Sequence, residues 1–113
     1  VVSDDPLRLA RCLEGLTARG VRGEPGTTTD LAGLARIPAV AVVVDLGRSP
    51  GAALEMAQEL ALLHFDGALC LAGIRDAKTE KAVREALPGA VVYDRRPPGD
   101  PGVLDALLAA LSG

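Results

Sequence analysis

The sequence predicts an α/β fold: one five-stranded parallel sheet wound with helices on both faces. Three observations predict it. Short β-branched runs alternate along the whole chain with longer segments of helical periodicity. Two of those runs, AVAVVVD (39–45) and GALCLAG (67–73), are too continuously apolar to face water on one side, so they read as central strands. The 113 residues make one domain, 1–113, with no room for a second. The predicted order is βαβαβαβαβα. Short connections between parallel strands impose right-handed crossovers, and a doubly wound sheet of order 2-1-3-4-5 is the commonest solution at this length.

Each element has a local cause. Val1 and Val2 read as the end of a strand, which predicts a natural chain that starts further upstream. In PLRLARCLEGLTARG, Leu9, Cys12, Leu13 and Leu16 share a helical stripe, with Arg8, Arg11 and Arg19 off it. Asp5 suits the cap, Pro6 the first turn and Gly20 the stop. Val21 to Glu24 reads as a short edge strand, since Arg, Gly and Pro make a poor central one. Thr29 or Asp30 caps a short helix, LAGLARI, which must end before Pro38. The next helix runs from near Pro50 to about His64, with Ala53, Leu54, Ala57, Leu60, Ala61 and His64 on its stripe. DAKTEKAVREAL is a charged helix with a thin apolar face of Ala82, Val83, Ala86 and Leu87. AVVYD (90–94) is the last strand, and Val103 to Leu111 the last helix.

Composition excludes several classes of function. The chain is 49% hydrophobic and 24% charged, enough to bury a core, and it has no Trp. With one Tyr and one Phe it has no surface for stacking single-stranded bases. A net charge of −3, from 12 basic and 15 acidic residues spread evenly, gives no general pull toward nucleic acid or anionic lipid. Cys12 and Cys70 sit apart in apolar surroundings with no CxxC or Cys/His cluster, so they read as two buried reduced thiols. No stretch is long enough to cross a bilayer and no signal segment opens the chain, which predicts a cytoplasmic location. His64 reads as a packing or capping residue. Neither a P-loop, a GxGxxG fingerprint nor a nucleophile elbow is present, and the chain is not expected to be an enzyme.

In an open α/β sheet, ligands and chemistry sit beyond the carboxyl ends of the strands. The residues placed there are Ser3, Asp4 and Asp5, then Asp45, then Ala72 and Gly73, then Asp94, Arg95 and Arg96. Asp4, Asp5 and Asp45 converge by this topology, and neighbouring carboxylates at one edge call for a hard cation such as Mg²⁺. An aspartate beside such a metal can attack a phosphoryl group.

On these residues the chain resembles the receiver domain of bacterial two-component response regulators, over nearly its whole length. VVSDDPLRLARCLEGL resembles the family's opening strand, acidic turn and first helix. VVVDL resembles the strand of the phosphoacceptor, which would be Asp45. GALCLAG takes the place of the fourth strand, and VVYDRRP that of the fifth with its basic residue and proline. Tyr93 stands three positions before Arg96, the family's spacing between its aromatic switch residue and its lysine. The resemblance implies a flavodoxin-like fold, a weak Mg²⁺ site at Asp4, Asp5 and Asp45, and signalling proteins as partners, among them a histidine kinase and an output domain. It also implies a homodimer through the surface of the fourth helix, fifth strand and fifth helix, which the strongly apolar last helix supports independently.

The departures carry as much meaning. Ser3 stands where the family has one acid, Ala72 where it has a phosphate-binding Thr or Ser, and Arg96 where it has lysine. Asp94 adds a negative charge, and the loop LGRSPG is shorter and shifted. The sequence therefore points first to a pseudo-receiver that works through protein contacts with weak or absent phosphorylation. The alternatives are a phosphorylation-competent receiver with Asp45 as phosphoacceptor, or a flavodoxin-like domain that binds a small ligand at the same edge.

Overall fold

The computed structural model describes residues 1–28, 40–63 and 67–112. Helix α1 spans Pro6–Ala18, and strand β1, Ala41–Asp45, is followed by helix α2, Pro50–Leu62. Strand β2, Ala68–Ala72, leads to helix α3, Ala77–Ala86. Strand β3, Val92–Tyr93, leads to helix α4, Pro101–Ser112. The predicted helix 31–37 with its caps Thr29 and Asp30, together with His64 and Phe65, lies outside the described residues.

The sheet corrects the prediction of five strands: among the described residues it has three, all parallel, in the order β1-β2-β3. Ala41 to Asp45 pair residue by residue with Ala68 to Ala72, and Cys70 and Leu71 pair with Val92 and Tyr93. The two amino-terminal runs predicted as strands contribute only isolated bridges, Val2 with Val44 and Val2 with Gly26. The reasons are local. Ser3 accepts the Asp5 amide on its hydroxyl at 3.2 Å, which turns the chain into α1 immediately after Val2. Val21 to Glu24 makes no ladder because it packs against α1: a Cβ on Gly23 would lie 2.8 Å from Leu13 and 3.1 Å from Leu16. Pro25 then removes an N–H that a ladder would need.

The helices form where the sequence places their caps. The Asp5 carboxylate accepts the Leu7 and Arg8 amides at 3.0 and 3.3 Å, and Pro6 occupies the first turn, where its missing N–H costs nothing. Gly20 closes α1 at a φ of +73°, returning its amide to Thr17. Asp76 caps α3 through the Thr79 amide at 2.8 Å. Helix α2 buries Ala53, Met56, Ala57 and Leu60, so Met56 joins the predicted stripe while Ala61 faces outward.

Burial of both sheet faces follows from the valine run. Val42 and Val44 join Leu71, Met56, Leu60, Val83 and Leu87 on the α2 and α3 side. Val43 joins Cys70, Val92, Val103 and Leu107 on the α4 side, where Leu104 of α4 packs with Cys12 and Leu16 of α1. Each aliphatic side chain so buried contributes about 1.5–3 kcal/mol. The chain thus leaves Val2 for α1 on one face and leaves β1 for α2 on the other. That divergence opens a switch point beside Asp45. Among the described residues no helix is long and apolar enough to cross a membrane.

Candidate functional site

Asp45 ends β1 with its side chain only 1% exposed. Its Oδ2 accepts Arg8 Nε at 2.8 Å and the Ser3 hydroxyl at 2.9 Å. Its Oδ1 accepts Arg8 Nη2 at 2.8 Å and the Gly47 amide at 2.9 Å. A carboxylate offers about four lone-pair positions, so the group is saturated by the protein itself. The bidentate fork from Arg8 is the strongest form of such a pair.

Two glycines make room for the fork. A Cβ on Gly47 would fall 2.6 Å from Arg8 Cζ and Nη2. A Cβ on Gly73 would fall 2.6 Å from Arg8 Nη2 and collide with Asp45 Oδ1. Gly73 also holds a φ of +70°, a conformation that side chains rarely adopt. Its amide is pinned by the Arg96 carbonyl at 2.8 Å, and Ile74 follows with a bond to the Asp94 carbonyl at 3.1 Å.

The other predicted site residues are turned to other tasks. Asp4 accepts the Thr28 amide at 3.1 Å and the Thr28 hydroxyl at 2.7 Å. Burial pushes its carboxyl up, but the bonds from Thr28 and Ser49 and the nearby Arg48 outweigh this and hold it below the ordinary carboxylate value. Asp5 is the α1 cap. Ala72 is fully buried opposite Asp45 in the register, offers no hydroxyl, and accepts the Leu46 amide on its carbonyl at 2.9 Å. Arg96 pairs with Asp94, at 3.0 and 2.7 Å, and reaches Asp100 at 3.4 Å, so the second acid at this edge is neutralised locally. The Arg96 side-chain bonds, against a small cost of burial, hold the Asp94 carboxyl below its ordinary value. The Tyr93 hydroxyl donates to the Leu87 carbonyl, and Arg84 lies over its ring at 4.2 Å.

Asp4, Asp5 and Asp45 are therefore not brought together as a ligand set. Among the described residues no group of three or more His, Cys, Asp or Glu side chains is placed to hold a metal ion. With Asp45 saturated by its own donors, Asp4 held by Thr28 and Asp5 at the α1 cap, the three carboxylates do not fit magnesium. Cys12 and Cys70 are buried and free, and burial pushes their thiols up to about 11 and about 12, far from the thiolate range at neutral pH.

The chain matches no protein-family model, no curated protein and no solved structure.

The residue that sequence reasoning missed is Arg8. Its signal was present: a cation in the first turn of a helix faces the positive end of the helix dipole, an unfavourable place unless a carboxylate waits beside it. Ser3 and Gly73 were placed at the right edge, but their roles as donor and as slot depend on side-chain directions that spacing does not encode.

Proposed function

We propose that this chain is a receiver-like signalling domain that works through protein contacts, with Asp45 closed to phosphorylation. The observation that supports this best is the saturation of Asp45 by Arg8, Ser3 and Gly47. A nucleophilic carboxylate must present a free oxygen to phosphorus. Here each oxygen carries two donors, and removing the guanidinium would strand a buried charge. Ala72 without a hydroxyl and Arg96 spent on Asp94 point the same way. The domain's partners are other signalling proteins and a second copy of the chain, and its role is binding rather than catalysis.

The test is intact mass after incubation with magnesium and a small acyl phosphate. No gain of a phosphoryl group is expected. A stoichiometric gain that disappears in Asp45→Asn would replace this reading with that of a competent receiver.

A further inference from the structure

We propose that Arg8 is a receptor for small oxyanions at the carboxyl edge of the sheet, held in readiness by Asp45. The proposal goes beyond the signalling role and does not depend on it. A guanidinium carries five N–H donors arranged in two forks. Asp45 takes the fork of Nε and Nη2, at 2.8 Å for each bond. The second fork, formed by Nη1 and the remaining N–H of Nη2, has no hydrogen-bond partner among the described residues, since Nη2 spends one N–H on Asp45 Oδ1, and the side chain is 29% exposed. Because one edge is anchored to a buried carboxylate, the plane of the group is fixed. The open fork is then presented without the loss of rotamer freedom that a mobile surface arginine suffers on binding.

The surroundings hold that plane in place. A side chain at position 47 would fall 2.6–2.7 Å from Cζ, Nη2 and Nη1, and one at 73 would fall 2.6 Å from Nη2, so glycine at both leaves a slot that the guanidinium itself fills. The slot lies at the switch point of the sheet, where open α/β sheets form their ligand crevice. Carboxylates near the slot oppose an anion, and their oxygens are largely spent: those of Asp45 on four donors, those of Asp4 on Thr28, and Oδ1 of Asp5 on the α1 amides. Arg48 adds a second guanidinium, with Nη1 at 3.3 Å from the Asp4 carbonyl. Two arginines against three aspartates give no excess positive charge, so affinity of millimolar order is expected rather than micromolar. A planar carboxylate and a tetrahedral phosphate both match the fork.

The experiment is a titration of the whole ¹⁵N-labelled chain with inorganic phosphate and, separately, acetate, at constant ionic strength with chloride as the reference. Saturable shifts are expected at Arg8 Nε–H and at the Gly47 and Gly73 amides, with a half-point on the order of 1 mM. Arg8→Lys, which keeps the charge and loses the fork, should raise that half-point at least tenfold. Saturation with one anion alone narrows the ligand to that chemistry. A linear drift equal to that of chloride overturns the proposal. So do saturable shifts that map away from Gly47 and Gly73, a result read on the unaltered chain whether or not Arg8→Lys folds. An unchanged half-point in a folded Arg8→Lys overturns it as well.

Discussion

Asp45 and Arg8 show how one pair of residues can set the character of an edge. A carboxylate at the end of a buried strand has to be neutralised, and the available means are a proton, a bound cation or a side chain. Here the cation is part of the chain and arrives from the first turn of α1. Removing it leaves a carboxylate, 1% exposed, with only the Ser3 hydroxyl and the Gly47 amide. Breaking a fully buried pair from one side costs about 3–5 kcal/mol. Arg8 keeps 29% of its side-chain surface in water, which lowers the expectation for Arg8→Ala to about 2–3 kcal/mol. Urea unfolding of Arg8→Ala, Asp45→Asn and the double variant measures this. The double variant should lose clearly less than the sum of the two single losses, and strict additivity would mean that the pair is not coupled.

At the scale of elements, legibility followed how local the cause was. The valine run of β1 and the capped start of α1 were readable because neighbouring residues decide them. The edge strand at 21–24 was not, because its fate depends on Gly23 resting on Leu13 and Leu16, contacts within the fold that periodicity does not report. Asp4 and Asp5 are adjacent in sequence yet serve different segments, Thr28 in one case and the α1 amides in the other. Their convergence on a metal therefore could not be decided from spacing. The loops that hold the edge carry their own pH dependence. Asp4 and Asp94 have folded-state pKa values below the ordinary carboxylate value. The unfolded chain therefore takes up protons first as pH falls. The stability from these groups is complete above about pH 4 and is lost as pH drops through the depressed values. Thermal unfolding across pH 7 to about pH 2 should show a falling Tm at the acid end. The fall should be shallower in Asp94→Asn, and an unchanged slope would show that the Arg96 pairing contributes nothing.

At the scale of the whole molecule, two groups of apolar side chains among the described residues stand outside the core, apart from Leu7, and they differ in kind. Val40, Leu62, Leu63 and Val91 are 74%, 77%, 57% and 52% exposed and flank the starts of the strands or the end of α2. Helix α4 buries Val103, Leu104 and Leu107 and turns Ala106, Ala109, Ala110 and Leu111 outward, with Asp105 already tied to Arg19 at 3.1 Å. Small side chains let two helices approach closely, and a 12-residue helix offers a contact about 18 Å long. A stable interface needs about 800 Å² from each partner, so α4 must be joined by further surface, and this reading takes it from α3 on the other face of the sheet, with Lys78 and Lys81. The expected outcome is an isologous dimer that forms with rising concentration and ignores acyl phosphate, as the proposed closure of Asp45 requires. Sedimentation velocity over a concentration series measures it. Ala109→Glu, at an exposed position, should restore the monomer without unfolding the chain, whereas Leu62→Glu should leave the dimer intact. A monomer at every concentration removes the dimer from the proposal. A dimer lost in Leu62→Glu but kept in Ala109→Glu moves the interface to Val40, Leu62, Leu63 and Val91, where the larger aliphatic side chains stand open.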